Sequence, residues 1–184
     1  MHNSGSPETT KKAPTEILRR LTFADLPAVV SIERRSFASP WSPGMFVLEM
    51  SRESSVTLAA TRGDRPVAYA IFSRYEEAWH MMNVAVAPEH RRRGVGSMLI
   101  GRALELIDAD ASLNPETDVT VPVTLEVRPS NRSAIALYEE FDFRRYGYRK
   151  GYYPDNGEDA MIMWRGDPAA AGVPEEALSA FPGA

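Results

Sequence analysis

Helical and extended hydrophobic spacings take turns along this chain. Thr22 and Asp25 form a capping pattern ahead of Leu26, Val29, Val30 and Phe37, whose spacing predicts a helix. Ser42-Pro43 marks a second helix start, an N-cap followed by proline at the first helical position. Val56–Thr61 and Val67–Tyr75 predict strands joined through Gly63-Asp64-Arg65-Pro66. Met81–Ala87 predicts a further strand, closed by Pro88. Gly94–Ala109 reads as a helix with Met98, Leu99, Ala103, Leu106 and Ile107 as its apolar stripe. Asp108, Asp110, Glu116 and Asp118 stand without a basic partner in Asp108–Pro122, which predicts a solvated loop. Val123–Arg128 predicts a strand, Ser130–Phe141 a helix, and Tyr146–Tyr153 with Ala160–Trp164 an antiparallel pair. Strands on both sides of interspersed helices imply an α/β domain with one mixed sheet covered by helices.

Composition narrows this further. With 184 residues, 43% hydrophobic and 25% charged, the chain suits one globular domain with a sizeable core. No apolar run approaches the ~18–20 residues of a membrane span. Residues 1–14 are polar and predict a flexible tail; residues 166–184, rich in Ala, Pro and Gly, predict a weakly ordered one, leaving 15–165 as the domain. Lys11 and Lys12 precede no apolar segment, so no signal peptide is expected and the expected location is cytoplasmic. Cysteine is absent, which excludes thiolate nucleophiles and Cys-ligated metals. His2, His80 and His90 are scattered, so no metal site is expected. A net charge of −4 argues against a general nucleic-acid binder.

Within this acidic chain, Arg91, Arg92 and Arg93 crowd the start of the helix that follows the Val84-Ala85-Val86 strand, beside Gly94-Val95-Gly96-Ser97. Free amides and the positive dipole end at a helix start form an anion site. Arginines add bidentate geometry for phosphate, and glycines allow a diphosphate close to the backbone. The alternative is a solvated basic helix start whose glycines serve only the turn. A dinucleotide fingerprint needs a third glycine where Leu99 stands, and a nucleotide P-loop needs a Gly-Lys-Ser/Thr tripeptide that does not occur.

A second constellation is Thr124 to Tyr138. Val123, Leu125 and Val127 alternate with Thr124, Glu126 and Arg128, so Glu126 lies on the opposite strand face from the three aliphatic residues. A carboxylate among apolar neighbours gains proton affinity and suits a general base. An ion pair between Glu126 and Arg128 on a wet face is the competing account. Tyr138 shares helical spacing with Ala134, Leu137 and Phe141, which fits a core tyrosine with its hydroxyl at the edge. Asn131 fits a helix cap.

Arg91-x-x-Gly94-x-Gly96 after a Val-Ala-Val strand resembles the pyrophosphate loop of the GNAT N-acetyltransferase superfamily. The run from Leu125 to Tyr138 is similar to its RimI branch, as are Phe37-Ala-Ser-Pro-Trp41-Ser, Gly151-Tyr-Tyr-Pro154 and Glu158-Asp-Ala-Met-Ile-Met163. These matches run in order from about Leu21 to Trp164. The resemblance implies a single domain whose mixed, mostly antiparallel sheet has six to seven strands and about four flanking helices. It implies Glu126 as general base and Tyr138 as general acid for transfer from acetyl-CoA, without a metal. It places Val84, Ala85 and Val86 along the pantetheine arm, Arg91 to Ser97 (Arg91, Arg92, Arg93, Gly94, Val95, Gly96 and Ser97) at the pyrophosphate, and Asn131 as a further cofactor contact. Phe37, Trp41, Tyr152 and Tyr153 would border a peptide groove, with packing an equally good account of Trp41.

The acceptor so implied is a protein N-terminus, the N-terminal alanine of a small-subunit ribosomal protein. An acceptor lysine or small amine, or a silent acetyl-CoA-binding module, are the alternatives. One departure is Asp142 where the family has glycine after the helix; Asp tolerates the left-handed conformation better than most residues. The other is the longer 108–122 connection.

Overall fold

The computed structural model describes residues 15–75, 78–109 and 120–174. The expected tail at 1–14 lies outside these residues, as do Asp110, Glu116 and Asp118 and the end of the expected C-terminal tail from 175 onward. Strands β1 (Ile17–Arg20), β2 (Ser55–Arg62), β3 (Arg65–Tyr75), β4 (Ala78–Val86), β5 (Val123–Val127), β6 (Arg144–Tyr153) and β7 (Glu158–Arg165) form one sheet. Its order is β1-β2-β3-β4-β5-β7-β6. Every neighbouring pair is antiparallel except β4 with β5. Helices α1 (Leu26–Ser36) and α2 (Pro43–Met50) join β1 to β2, α3 (Val95–Asp108) follows β4, and α4 (Arg132–Glu139) follows β5. None of the described helices is long and apolar enough to cross a membrane.

Several expectations need correction. The spacing missed β1, because an edge strand of four residues with Ile17 66% exposed carries no readable alternation; its pairing with β2 makes it a strand. The β2–β3 connection is a two-residue turn, Gly63-Asp64, with Gly63 at φ 60. Pro66 belongs to β3 instead, beside a register shift that tolerates its missing N–H. Ser42 does begin α2 from extended backbone, but its hydroxyl makes no cap bond. Phe37 falls past the end of α1, whose buried face is Val29, Val30, Ile32 and Glu33. The buried face of α3 is Val95, Leu99, Ile100, Ala103, Leu104 and Ile107, a rotation from the predicted stripe that leaves Met98 and Leu106 at the margin. Asp108 is paired after all, 2.7 Å from Arg165 on β7.

Other local signals hold. The Asp25 carboxylate accepts the Thr22 N–H at 2.8 Å, opening a short 3-10 turn that leads into α1. Asp142 takes the left-handed conformation at φ 64.

Alternation along the strands separates two cores. On one face, Leu58, Ala70, Phe72, Leu125 and Met163 meet α3 and α4. On the other, Ala59, Tyr69, Ile71 and Ala85 meet α1 and α2. The parallel neighbours β4 and β5 are in register only at Trp79–Val123 and His80–Thr124. Their register ends there, so the sheet opens as a wedge. On the β3 side the register passes from Ile71–Asn83 to Phe72–Met81, which leaves Met82 as the extra residue of a bulge where the wedge begins.

Candidate active site

The wedge exposes backbone. Ala87 donates its N–H to Val67 at 2.8 Å, so Ala87 and, by alternation, Ala85 and Asn83 turn their peptide groups toward β3. Val84 and Val86 therefore turn theirs into the wedge. Of the predicted Val84–Val86 contact segment, Val84 turns its N–H and carbonyl into the wedge and Val86 its N–H, the Val86 carbonyl being taken by Arg91, while the Ala85 pair is spent on Tyr69.

The turn after β4 leads into α3 with Arg92 at φ 62 and Gly94 at φ 81 as the helix N-cap. The first turn, Val95 to Ser97, leaves its amides without intrahelical partners, facing the same end of the wedge. Arg91, Arg92 and Arg93 are all exposed, but the Arg91 side chain is tied down by hydrogen bonds within the chain. Its Nε donates to the Val86 carbonyl at 2.9 Å and its guanidinium to the Ser36 hydroxyl at 3.0 Å. Gly96 serves packing: a Cβ there would stand 3.3 Å from Leu137 Cδ2, so the missing side chain lets α3 approach α4.

Glu126 and Tyr138 flank the wedge from opposite faces of the sheet. His80 lies opposite Thr124, so His80, Thr124 and Glu126 share the α1/α2 face. Tyr138 packs with the α3/α4 core, its ring 6.1 Å from that of Phe143. The Glu126 carboxylate lies 3.1 Å from the Arg149 guanidinium on β6, and not with Arg128. Arg128 instead contacts Asp155 at 2.8 Å and Glu158 at 3.3 Å and lies over the Tyr153 ring at 3.7 Å. That clamp ties the turn of the β6–β7 hairpin to the end of β5.

Tyr153 links the two sides. Burial pushes the Tyr138 hydroxyl up to about 12, with Tyr153 adding to the rise. Burial likewise takes Tyr153 up to about 12, opposed by Arg128 and assisted by Tyr152 and Glu126. Tyr153 thus lies within electrostatic reach of Glu126 and Tyr138 alike. His80 is held below the ordinary imidazole value by burial, with Glu126 acting against it. Both phenols stay protonated and His80 favours its neutral form at neutral pH.

The remaining predicted residues divide. Tyr152 is exposed and packs edge-on against Tyr153 at 5.1 Å, and Phe37 is exposed on the loop between α1 and α2. Trp41 packs edge-on against Phe46 at 5.4 Å and joins the α1/α2 core. Asn131 caps α4, its side-chain oxygen accepting from the Ala134 N–H at 3.2 Å.

Local spacing missed Glu33, Asn83, His80 and Arg149. Glu33 carried a signal, a carboxylate on the stripe of Val29 and Val30, but Arg149 reaches Glu126 only through strand order.

An open parallel pair with a bulged strand, free valine peptides and a basic helix mouth suits a long acyl-thioester arm ending in a pyrophosphate. Residues 26–143 match the acetyltransferase (GNAT) family, more than half of the chain. The chain belongs to the GNAT family. A [ribosomal protein bS18]-alanine N-acetyltransferase of Salmonella typhimurium is 39% identical over 145 residues, covering 78% of this chain and 92% of the relative. The N-alpha-acetyltransferase RimI of Mycobacterium tuberculosis is 31% identical over 157 residues, covering 81% and 92%. The crystal structure of the ribosomal-protein-S18-alanine N-acetyltransferase from Escherichia coli superposes with a TM-score of 0.72 at 31% identity, over 83% of this chain and 94% of that one. This GNAT chain is an N-acetyltransferase that uses acetyl-CoA.

Proposed function

We propose that the domain at 15–165 acetylates the N-terminal amine of a protein in the cytoplasm, with the N-terminal alanine of a small-subunit ribosomal protein as acceptor. The observation that carries the reading is the placement of Glu126 and Tyr138 on opposite faces of the sheet beside the β4–β5 wedge. The likeness to bS18-alanine acetyltransferases supports the choice of acceptor.

Acetyl-CoA, when bound, supplies the thioester that the amine attacks. Arg92, Arg93 and the first-turn amides of α3 hold its pyrophosphate, and the Val84 peptide group and the Val86 N–H align its arm. A wedge-facing amide of β4 polarises the thioester carbonyl. Glu126, released from Arg149 as the acceptor enters, takes a proton from the attacking amine, directly or through one water. Tyr138 returns a proton to the departing thiolate, which its hydroxyl can do because burial keeps it protonated at neutral pH.

The acceptor class follows from proton affinity. An α-amine, with pKa about 7.7–8.0, is neutral to about 10% at pH 7, a lysine near 10.4 to only about 0.04%. A carboxylate base suffices for the first. Phe37 and the Tyr152-Tyr153 pair border the groove.

Two peptides decide the matter, one with a free N-terminal alanine and no lysine, the other with a blocked N-terminus and a free lysine. Acetylation of the first alone is expected; equal rates would move the enzyme to the side-chain acetyltransferases. Glu126→Gln should lower turnover by roughly 10²–10⁴ with acetyl-CoA affinity retained in calorimetry. A near-normal rate would remove Glu126 from the chemistry.

A further inference from the structure

Glu33 is 1% exposed on α1, and its recorded hydrogen bonds come from three neutral donors. Its Oε1 accepts the Trp41 backbone N–H at 2.8 Å and the Asn83 side-chain amide at 3.2 Å. Its Oε2 accepts the Tyr69 hydroxyl. Burying a carboxylate costs free energy that only well-directed donors offset, and an aliphatic residue would fill this face beside Val29, Val30 and Ile32 without that cost. The carboxylate is therefore read by what it joins.

Its three donors come from three places. Trp41 belongs to the loop between α1 and α2 that carries Phe37; Tyr69 belongs to β3; Asn83 belongs to β4, between the Met82 bulge and Val84. One carboxylate thus ties an acceptor-side loop to the strand whose peptide groups face the wedge. The neighbouring buried carboxylate does nothing of the kind. Glu49 on α2 takes its hydrogen bonds from Ser55, Ser73 and Tyr75, all on the sheet, with Arg52 3.9 Å away. Glu49 anchors a helix, whereas Glu33 spans the site.

We propose that Glu33 is a positioning residue that sets the loop from Phe37 to Ser42 against β4 and so fixes the width of the slot for the acceptor's first residue. The proposal rests on the N-terminal acceptor reading above. The carboxylate acts through bond directions and not through charge. A glutamine can keep the arrangement: its oxygen accepts from Trp41 and Asn83, and its amide donates to the Tyr69 oxygen. A methionine fills the volume and keeps none of it.

The test compares the full-length wild type with Glu33→Met and Glu33→Gln on peptides that differ only in the first residue, alanine against leucine. Acetyl-CoA affinity is measured by calorimetry and melting by circular dichroism. Glu33→Met is expected to melt as a folded protein with unchanged acetyl-CoA affinity. Its KM for the alanine peptide should rise on the order of tenfold or more, and the alanine-over-leucine preference should shrink. Glu33→Gln should restore most of both. Unchanged KM and preference in a folded Glu33→Met overturn the proposal, as does a Glu33→Gln as impaired as Glu33→Met. If Glu33→Met does not fold, Asn83→Leu removes the β4 link alone and must shift the same preference; if it does not, the proposal fails. A blocked-N-terminus lysine peptide run on the wild type separates the two readings. Its acetylation at the rate of the alanine peptide defeats the N-terminal acceptor, while the Glu33 comparison still reports whether the loop is held.

Discussion

The two faces of the sheet bury their helices by different chemistry. Under α3 and α4 the contact is aliphatic and aromatic, with Phe72, Leu99, Ile100, Ile107, Leu125 and Met163 at its centre. Under α1 and α2 a smaller apolar cluster shares its space with Glu33, Glu49, Ser73 and Asn83, all buried. Dispersion and burial hold the first face, and both are non-directional, so shape alone decides how α3 and α4 sit. Directed hydrogen bonds to buried carboxylates hold the second, and each constrains an angle as well as a distance. The first face carries the basic helix mouth expected at a pyrophosphate. The second carries the loop expected at the acceptor's first residue, where a fraction of an ångström matters more.

If that contrast is right, the two faces should fail differently. Leu99→Ala removes a fully buried side chain from the α3 contact and should cost about 2–5 kcal/mol in denaturant unfolding. Its folded fraction should bind acetyl-CoA normally. A cost below about 1 kcal/mol would mean that α3 relaxes freely and that the apolar face is less tightly packed than its burial implies.

Tyr69→Phe keeps the ring on the other face and deletes one donor to Glu33. Burial and the Glu33 charge drive the Tyr69 hydroxyl far above the ordinary phenol range, so it is always a donor in the native protein. The substitution should cost about 1–3 kcal/mol, since the lost bond leaves carboxylate hydrogen-bonding capacity buried. A neutral outcome would place that face in the same class as the apolar one.

The smallest effect is at the sheet edge. Arg19 donates to both oxygens of Asp25 at 2.6 and 2.7 Å, and together with the Thr22 bonds this holds the Asp25 carboxyl at about 2. Its folded value lies below its unfolded one of roughly 3.9. The stabilisation is therefore complete above about pH 4 and is lost as pH falls toward about 2. Arg19 is partly exposed, so after solvent screening the contribution is on the order of 1 kcal/mol. Asp25→Asn should flatten the melting temperature across that window and leave it parallel to the wild type above. An unchanged acid limb would mean the pair contributes nothing.

Individual residues show what could be read before any coordinates. Capping at Thr22 and Asp25, the proline start of α2, the left-handed Asp142 and the strand–turn–helix around Arg91–Ser97 are local devices, decided within a few residues by backbone sterics and hydrogen bonding. So are the alternation that separates Glu126 from Val123, Leu125 and Val127, and the ordered matches to the GNAT family. The structure decided whatever depends on residues far apart in the chain. It made Ile17–Arg20 a strand by pairing it with β2, and it gave Glu126 to Arg149 in place of Arg128. It assigned Gly96 to Leu137, drew Arg91 onto Val86 and Ser36, and gathered Trp41, Tyr69 and Asn83 around Glu33. Spacing along a chain reports which side of one element a residue occupies, because helix and strand periods are local. Which partner waits on that side is set by strand order, and strand order is a property of the whole sheet.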